Sequence, residues 1–170
     1  TVLAGDGVKQ HKEARYMPGV KKMIQESEDS SKAQFIFGHL FGAVGVILGR
    51  TAGLLCLPLK MNIQDGLHAA AAWDGSEISP ESHVLQMIQN SFDTAKSFGK
   101  SIVLLDRYFL SVPALMRLTK LNAEYSSTEN LLEIVTKAKT NCVAYLKPPP
   151  PDPHQRGRRR LKGDALHINK

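Results

Sequence analysis

Short apolar runs separated by glycine-rich or polar stretches predict that the first half of the chain is rich in strands. The apolar run over 2–4 predicts a buried strand that ends in the turn over 5–7. Two longer apolar runs, 34–48 and 54–59, are separated by a glycine-containing turn and predict a hairpin. The stretch over 9–32 is polar, carries charges of both signs and lacks a clear period, so we expect an exposed excursion there.

The clearest predicted helix has recognisable start and stop signals. Ser79 can cap its first turn, Pro80 suits the first helical position, and Gly99 is typical of a helix end. Five apolar residues at helical spacing predict an amphipathic helix that packs on a sheet; they are Val84, Leu85, Ile88, Phe92 and Ala95. The continuous apolar run over 102–105 then predicts a central strand that is buried on both faces and ends at Asp106.

Further helices and one strand complete the predicted elements. An Ala-rich stretch over 67–73 favours a short helix. The spacing over 112–121 predicts a helix with Pro113 in its first turn and with three inward leucines, Leu115, Leu118 and Leu121. Ser126 and Glu129 fit a capping box and predict another helix that carries the apolar residues up to position 138. With a last strand over 142–146, the order indicates a mixed sheet covered by helices.

The end of the chain differs in composition from the rest. Four consecutive prolines over 148–151 end regular structure, and the run over 156–162 has five cations and no acid. We therefore divide the chain into a domain over 1–147 and a Pro-rich, basic segment over 148–170. That segment is either the start of an insertion or a flexible tail.

Composition adds a basic excess to an ordinary globular pattern. The 170 residues are 42% hydrophobic and 22% charged, and the formal net charge of +6 suits contact with a polyanion. Cys56 and Cys142 lie in apolar runs, which predicts buried thiols in a reducing compartment rather than a disulfide or a zinc site. His39 lies in the first strand of the predicted hairpin, so we expect a core histidine rather than a metal ligand.

The segment over 33–49 raises the alternative of a membrane-spanning helix. It has glycines at spacings that also occur in packed transmembrane helices. However, it contains Gln34 and His39, stops at Arg50, and is shorter than the roughly 20 residues that a spanning helix needs. We therefore expect a soluble chain without a membrane partner.

Two aspartates occupy equivalent positions, because Asp6 and Asp106 each follow an apolar strand. The C-terminal ends of neighbouring strands in an α/β sheet are where ligands gather. Carboxylates brought together there repel each other unless a cation lies between them, and hard oxygen ligands suit Mg²⁺ or Mn²⁺. Aspartates after strands are also typical caps of the next turn or helix. The pattern alone leaves a metal site and a capping role open.

Several segments of the chain, taken together and in order, resemble one family. They include Gly-Asp-Gly-Val-Lys over 5–9 and Leu-Asp-Arg-Tyr-Phe over 105–109. The others are 12–22, 25–32, 37–39, 58–59, 64–67 and 141–145, followed by the prolines and the Arg-Gly-Arg run. These segments are similar to the catalytic domain of bacterial DDE-superfamily transposases, the enzymes of insertion sequences.

The resemblance implies an α/β fold of the RNase H-like (retroviral-integrase-like) type, a mixed sheet flanked by helices. In that fold one catalytic aspartate lies on the first strand and the next lies just after the fourth, which matches Asp6 and Asp106. Both would be catalytic ligands of Mg²⁺ or Mn²⁺. The third acidic residue of such enzymes, a glutamate on a later helix, has no match here. We therefore expect the chain to be truncated before the last catalytic helix.

The resemblance also implies a function and partners. Such a protein cleaves DNA at transposon ends and transfers the strand into target DNA, as a homo-oligomer of the full-length chain at the nucleoid in the bacterial cytoplasm. By their position beside Asp106, Arg107 and Tyr108 either touch a phosphate or orient the aspartate and pack. By their charge, the candidates for DNA contact are Lys9, Lys12, Arg15, Arg107, Arg156, Arg158, Arg159, Arg160 and Lys162. The alternatives are a solvated charged loop after Asp6 and a flexible, solubilising tail at the end of the chain. The alternative is an inactive transposase remnant that at most binds DNA through its basic segments.

Overall fold

The computed structural model describes the chain in seven stretches, which belong to two compact units. The described residues are 1–13, 16–25, 31–50, 53–64, 82–138, 143–150 and 160–167. The first unit is Thr1–Thr136 and the second is Lys137–Lys170. The short helix expected over 67–73 lies outside the described residues.

The first unit is built on a sheet in which the described residues form six strands. Its strands are β1 (Val2–His11), β2 (Lys21–Ile24), β3 (Phe35–Arg50), β4 (Gly53–Ile63), β5 (Ser101–Leu105) and β6 (Leu132–Thr136). β3 pairs antiparallel with β1 on one edge and with β2 and β4 on the other. β5 is parallel to β1, and β6 is parallel to β5. The expected mixed sheet of an α/β fold is therefore confirmed.

β1 continues well past the turn predicted over 5–7. Its register with β3 runs without interruption from Leu3 opposite Val46 to His11 opposite Gly38. The strands approach closely at Gly38, where an added Cβ would lie 2.2 Å from a backbone carbonyl oxygen of β1. The predicted end of the first strand was wrong, because the long β3 offers β1 hydrogen-bond partners beyond the apolar run.

The predicted hairpin is confirmed and is longer than its apolar runs, with β3 and β4 paired over 41–50 and 53–63. The polar stretch over 9–32 is more than an excursion, because it contains the end of β1 and all of β2. Cys56 was expected to be buried but is exposed on β4, which is an edge strand. Cys142 lies outside the described residues.

The apolar segment over 33–49 forms most of β3 rather than a helix, as its glycines favour. His39 on this strand is buried, and its Nε2 lies 3.0 Å from the carbonyl oxygen of Pro18. It is therefore a core histidine with a polar partner, as predicted. In the part of the chain that the structure describes, no helix is long and apolar enough to cross a membrane.

The amphipathic helix is α1 (His83–Phe98). Its N-cap is Ser82, whose Oγ accepts the N–H of Leu85 at 3.4 Å. The predicted start at 79 and 80 lies outside the described residues. Gly99 ends the helix with a φ of 74°, a conformation that glycine adopts without strain, so the predicted stop is confirmed.

The second helix, α2 (Val112–Tyr125), is four residues longer than its predicted range of 112–121. Pro113 lies in its first turn, as expected. Leu118 and Leu121 are buried, but Leu115 is exposed. The helix therefore buries a narrow stripe and leaves much of its circumference in contact with solvent.

The prediction of a helix after Ser126 was wrong, because the chain there leads into a strand, β6, over 132–136. The Ser126 Oγ does accept the N–H groups of residues 128–129, but no helix follows, and Ser126 instead ends α2 as its C-cap. The chain then extends because buried Asn122 binds the backbone that enters β6. Its Oδ1 accepts the N–H groups of Leu131 and Leu132, and its Nδ2 donates to the carbonyl of Leu132 at 2.9 Å. The β-branched Ile-Val-Thr sequence also favours a strand.

Both helices pack on the same side of the sheet, which we call the covered face. Its core is Leu3, Val44, Val46, Met87, Ile88, Phe92, Ala95, Val103, Leu105, Phe109, Ala114, Leu118, Leu121, Leu131 and Leu132. On β5, Val103 and Leu105 point into this core, whereas Ile102 and Leu104 are each 38% exposed. The expectation that this strand is buried on both faces was wrong, since the described helices cover one face.

The second unit contains a two-stranded antiparallel ribbon of β7 (Val143–Tyr145) and β8 (Ala165–His167). β7 lies within the strand predicted over 142–146. Two backbone hydrogen bonds of 2.9 Å between Leu146 and residues 163–164 continue the ribbon.

Candidate metal centre

The parallel pairing of β1 with β5 brings the two predicted aspartates side by side. Gly5 opposite Leu105 is the last pair of the register, and Asp6 and Asp106 are the residues that directly follow it on the two chain segments. Neighbouring strands lie about 4.8 Å apart. Two carboxylates that start from positions this close can share one or two cations.

Both aspartates project from the face opposite the helices. Leu3 and Leu105 point into the core, and side chains alternate along a strand, so Asp6 and Asp106 point the other way. Both aspartates are exposed. We call this surface the carboxylate face; on the parallel strands it consists of Val2, Ala4, Asp6, Ile102, Leu104, Asp106, Glu133 and Val135.

Each carboxylate is oriented by the backbone that follows it. Oδ1 of Asp6 accepts the N–H of Gly7, and Oδ1 of Asp106 accepts the N–H of Arg107, both at 2.7 Å. Asp106 also begins the 3-10 turn Arg107–Phe109, so the alternative capping role is met there. Asp6 lies inside β1 and has no helix to cap. A carboxylate has several lone pairs, so these hydrogen bonds are compatible with a bound cation.

Asp6 and Asp106 have no third metal ligand among the described residues. No group of three or more His, Cys, Asp or Glu side chains there is placed to hold a metal ion. Glu133 shares the carboxylate face but lies beside Ile102, four positions before Asp106, which is about 13 Å back along the strand. Mg²⁺ often takes one or two carboxylates from a protein and completes its shell with water and substrate phosphates. The donor set therefore fits Mg²⁺ in the presence of phosphate.

The basic residues predicted beside the aspartates lie in different directions. Arg107 directly follows Asp106 and is exposed at the same strand end. Lys9 comes three positions after Asp6, so the alternation of β1 turns it away from the carboxylate face. Its Nζ donates to the carbonyl oxygen of Ile24 at 3.0 Å. Of these two cations, only Arg107 lies next to the carboxylate pair.

The remaining predicted DNA contacts lie after β1 and in the second unit. Lys12 directly follows β1 and is half-buried. Arg160 forms an ion pair with Asp164 at 2.8 Å. Lys162 lies over the ring of Tyr145, with its Nζ 4.4 Å from the centroid. Four predicted contacts fall outside the described residues, namely Arg15, Arg156, Arg158 and Arg159.

Comparison with known proteins found no relative of this chain. The chain matches no protein-family model, no curated protein and no solved structure. The resemblance to DDE transposases stays a prediction that rests on the quoted segments. The placement of Asp6 and Asp106 after adjacent paired strands is an independent observation.

One contact near the site was missed by sequence reasoning. It joins His83, the first residue of α1, to Tyr108 in the turn after Asp106. Their rings stack with centroids 5.2 Å apart and planes at 14°, and the Tyr108 hydroxyl is hydrogen-bonded to the His83 Nε2. The two residues are 25 positions apart, so no local spacing signals the contact. Only the packing of α1 on the sheet brings them together.

Proposed function

We propose that this chain is the catalytic part of a DDE transposase, in which Asp6 and Asp106 hold Mg²⁺ or Mn²⁺ for DNA cleavage and strand transfer at transposon ends. The observation that carries the proposal is the register of β1 with β5, which makes the two aspartates neighbours on one exposed face. A capping role alone accounts for Asp106 but gives no reason for an aspartate at position 6 inside a strand.

The order of the strands supports an RNase H-like fold. β3 lies between β4 and β1 and is antiparallel to both, and β5 and β6 continue the sheet parallel to β1. With the four-residue β2 set aside, Asp6 lies on the first strand and Asp106 follows the fourth. These are the positions that the family resemblance implies for the first two catalytic aspartates.

Electrostatic repulsion between the two aspartates is a reason for them to share a cation. Adjacent carboxylates repel each other when both are charged, and a divalent cation between them removes that repulsion. When bound, such ions activate the attacking water or 3′-hydroxyl and stabilise the leaving oxygen in phosphoryl transfer. Arg107, exposed beside Asp106, can bind a DNA phosphate through its planar guanidinium. DNA is thus both the substrate and the source of the missing oxygen ligands.

Metal binding provides the first test. Mn²⁺ is titrated into the protein and free Mn²⁺ is followed by electron paramagnetic resonance, with and without a short DNA duplex. We expect Asp6→Asn and Asp106→Asn each to weaken Mn²⁺ binding by more than about tenfold, because loss of a direct ligand exceeds the usual effect of an outer-shell change. Glu133→Gln is the matched control, since it removes a carboxylate from the same face but away from the pair. Unchanged binding by both aspartate variants would rule out the proposed site.

Strand transfer provides the second test. In a transposition-competent protein that carries this chain, Asp106→Asn should abolish DNA cleavage and strand transfer. Binding to the transposon ends should remain, because phosphate contacts come from basic side chains rather than from the aspartates. Cleavage retained by the variant contradicts the assignment.

The second candidate function is that of an inactive remnant that binds DNA without cleaving it. It is favoured by the lack of a third acidic ligand among the described residues. A remnant is expected to bind DNA in a salt-dependent way, with no effect of Mn²⁺ and none of Asp6→Asn. The Mn²⁺ titration therefore separates the two candidates before any assay of activity.

A further inference from the structure

We propose that His83 and Tyr108 form a positioning pair that holds the carboxylate of Asp106 in place beside Asp6. This inference rests on the proposed metal site and adds to it two residues outside the carboxylate pair. The pair joins the first residue of α1, a helix of the covered face, to the turn that begins at a metal-binding aspartate.

The turn after Asp106 is anchored at both of its ends. At its start, Oδ1 and the carbonyl oxygen of Asp106 accept the N–H groups of Arg107 at 2.7 Å and Phe109 at 3.0 Å. At its end, Phe109 is buried in the core. Between these anchors, Tyr108 is 54% exposed, and its ring lies flat against His83 and edge-on to Phe109. The contact with His83 is therefore what ties the middle of the turn to a helix.

The direction of the Asp106 carboxylate depends on this turn. Its Oδ1 is held by the backbone N–H of Arg107, so a rotation of the backbone at residues 107–108 moves the hydrogen-bond donor and the carboxylate together. A single 3-10 turn has few hydrogen bonds of its own and resists such a rotation poorly. A displacement of about 1 Å is enough to impair a site that needs fixed ligands. Restraint of Tyr108 thus limits the motion that would separate the two carboxylates.

His83 is well suited to supply the restraint because it belongs to a firmly packed helix. Ser82 caps α1 just before it, and Met87 and Ile88 bury the following turn in the core. A site supported by a helix is held more precisely than one supported by a loop. The hydrogen bond forms in either histidine tautomer, since the Tyr108 hydroxyl can donate to Nε2 or accept from it.

The experiment separates the hydroxyl contact from the stacking. Tyr108→Phe keeps the ring and removes the hydroxyl, His83→Ala removes both contacts, and His83→Gln keeps an amide that can hydrogen-bond the hydroxyl. Mn²⁺ affinity is measured by electron paramagnetic resonance, and the thermal midpoint is measured in EDTA. We expect Tyr108→Phe and His83→Ala to weaken Mn²⁺ binding about three- to tenfold, as outer-shell changes do, and His83→Gln to restore most of it.

Tyr125→Phe is the matched control. Tyr125 is 53% exposed, close to the value for Tyr108, and it lies at the opposite end of α2 from that turn. This variant should leave Mn²⁺ affinity unchanged. The double variant of His83→Ala with Tyr108→Phe should bind Mn²⁺ about as weakly as His83→Ala alone, since both changes break one contact.

The outcomes distinguish the positioning pair from the metal site itself. If Asp106→Asn loses Mn²⁺ while Tyr108→Phe and His83→Ala bind it like the wild type, the metal site stands and the positioning pair is rejected. If those two variants lower only the thermal midpoint, the contact is purely structural and the inference is again rejected. If the wild type binds Mn²⁺ no better than Asp106→Asn does, the proposed function fails and the inference fails with it.

Discussion

On one face of the sheet Leu105 is 6% exposed, and on the other its neighbour Leu104 is 38% exposed. The same strands build both surfaces, because successive side chains point to opposite sides. The covered face packs apolar side chains against two helices and stabilises the fold by burial. The carboxylate face instead carries two exposed aspartates, Asp6 and Asp106, directly after the last residues that pair between β1 and β5. Stability and the candidate chemistry are thus assigned to different sides of one sheet.

The largest expected effect compares adjacent leucines on β5. Leu105→Ala should lower the free energy of unfolding by about 2–5 kcal/mol, because it opens a cavity in the core. Leu104→Ala removes the same atoms from a half-exposed position and should cost about 1 kcal/mol. Urea unfolding followed by circular dichroism measures both. Equal losses in the two variants would show that the faces do not differ as described.

An intermediate effect is expected at Asn122, which links α2 to the backbone at the start of β6 on the covered side. Asn122→Ala removes the partner of two backbone N–H groups and one carbonyl and should cost about 2–3 kcal/mol. Asn130→Ala, at an exposed position nearby, should change stability by less than about 0.5 kcal/mol. The same unfolding assay applies. A loss below 1 kcal/mol for Asn122→Ala would mean that the strand forms without this side chain.

The smallest expected effect is on the carboxylate face. In EDTA and at low salt, Asp6→Asn should raise the free energy of unfolding by up to about 0.5 kcal/mol, because it removes one of two like charges. Added Mn²⁺ should then stabilise the wild type but not the variant. Glu133→Gln serves as the control and should leave the Mn²⁺ effect intact. A destabilisation by Asp6→Asn of more than about 1 kcal/mol would point to a structural aspartate instead.

Local sequence patterns predicted the elements whose structure depends on residues close together in the sequence. The apolar runs of the hairpin predicted β3 and β4, and the helical spacing up to Gly99 predicted α1. Where the structure of a segment depends on contacts with residues distant in the sequence, the predictions were wrong. β1 extends to His11 because β3 pairs with it, and the residues after Ser126 extend because Asn122 binds their backbone.

The candidate site likewise has features that the local sequence predicts and features that depend on distant contacts. The positions of Asp6 and Asp106 after apolar runs are visible in the sequence, and each aspartate could be selected by itself. Their adjacency follows from the parallel pairing of strands far apart in the chain, which spacing does not encode. The contact between His83 and Tyr108 depends on the packing of a helix on that sheet, so no sequence pattern predicts it.

The unequal lengths of β1 and β5 have a consequence for the position of the aspartates in the sheet. β1 pairs with β3 as far as His11, but its pairing with β5 stops at Gly5. From Asp6 onward, the structure as described gives β1 a paired strand on one side only, the side of β3. A β5 lengthened by a few residues would continue the parallel ladder past the aspartates. The five residues of β5 therefore set where the parallel ladder ends, which is directly before the two aspartates.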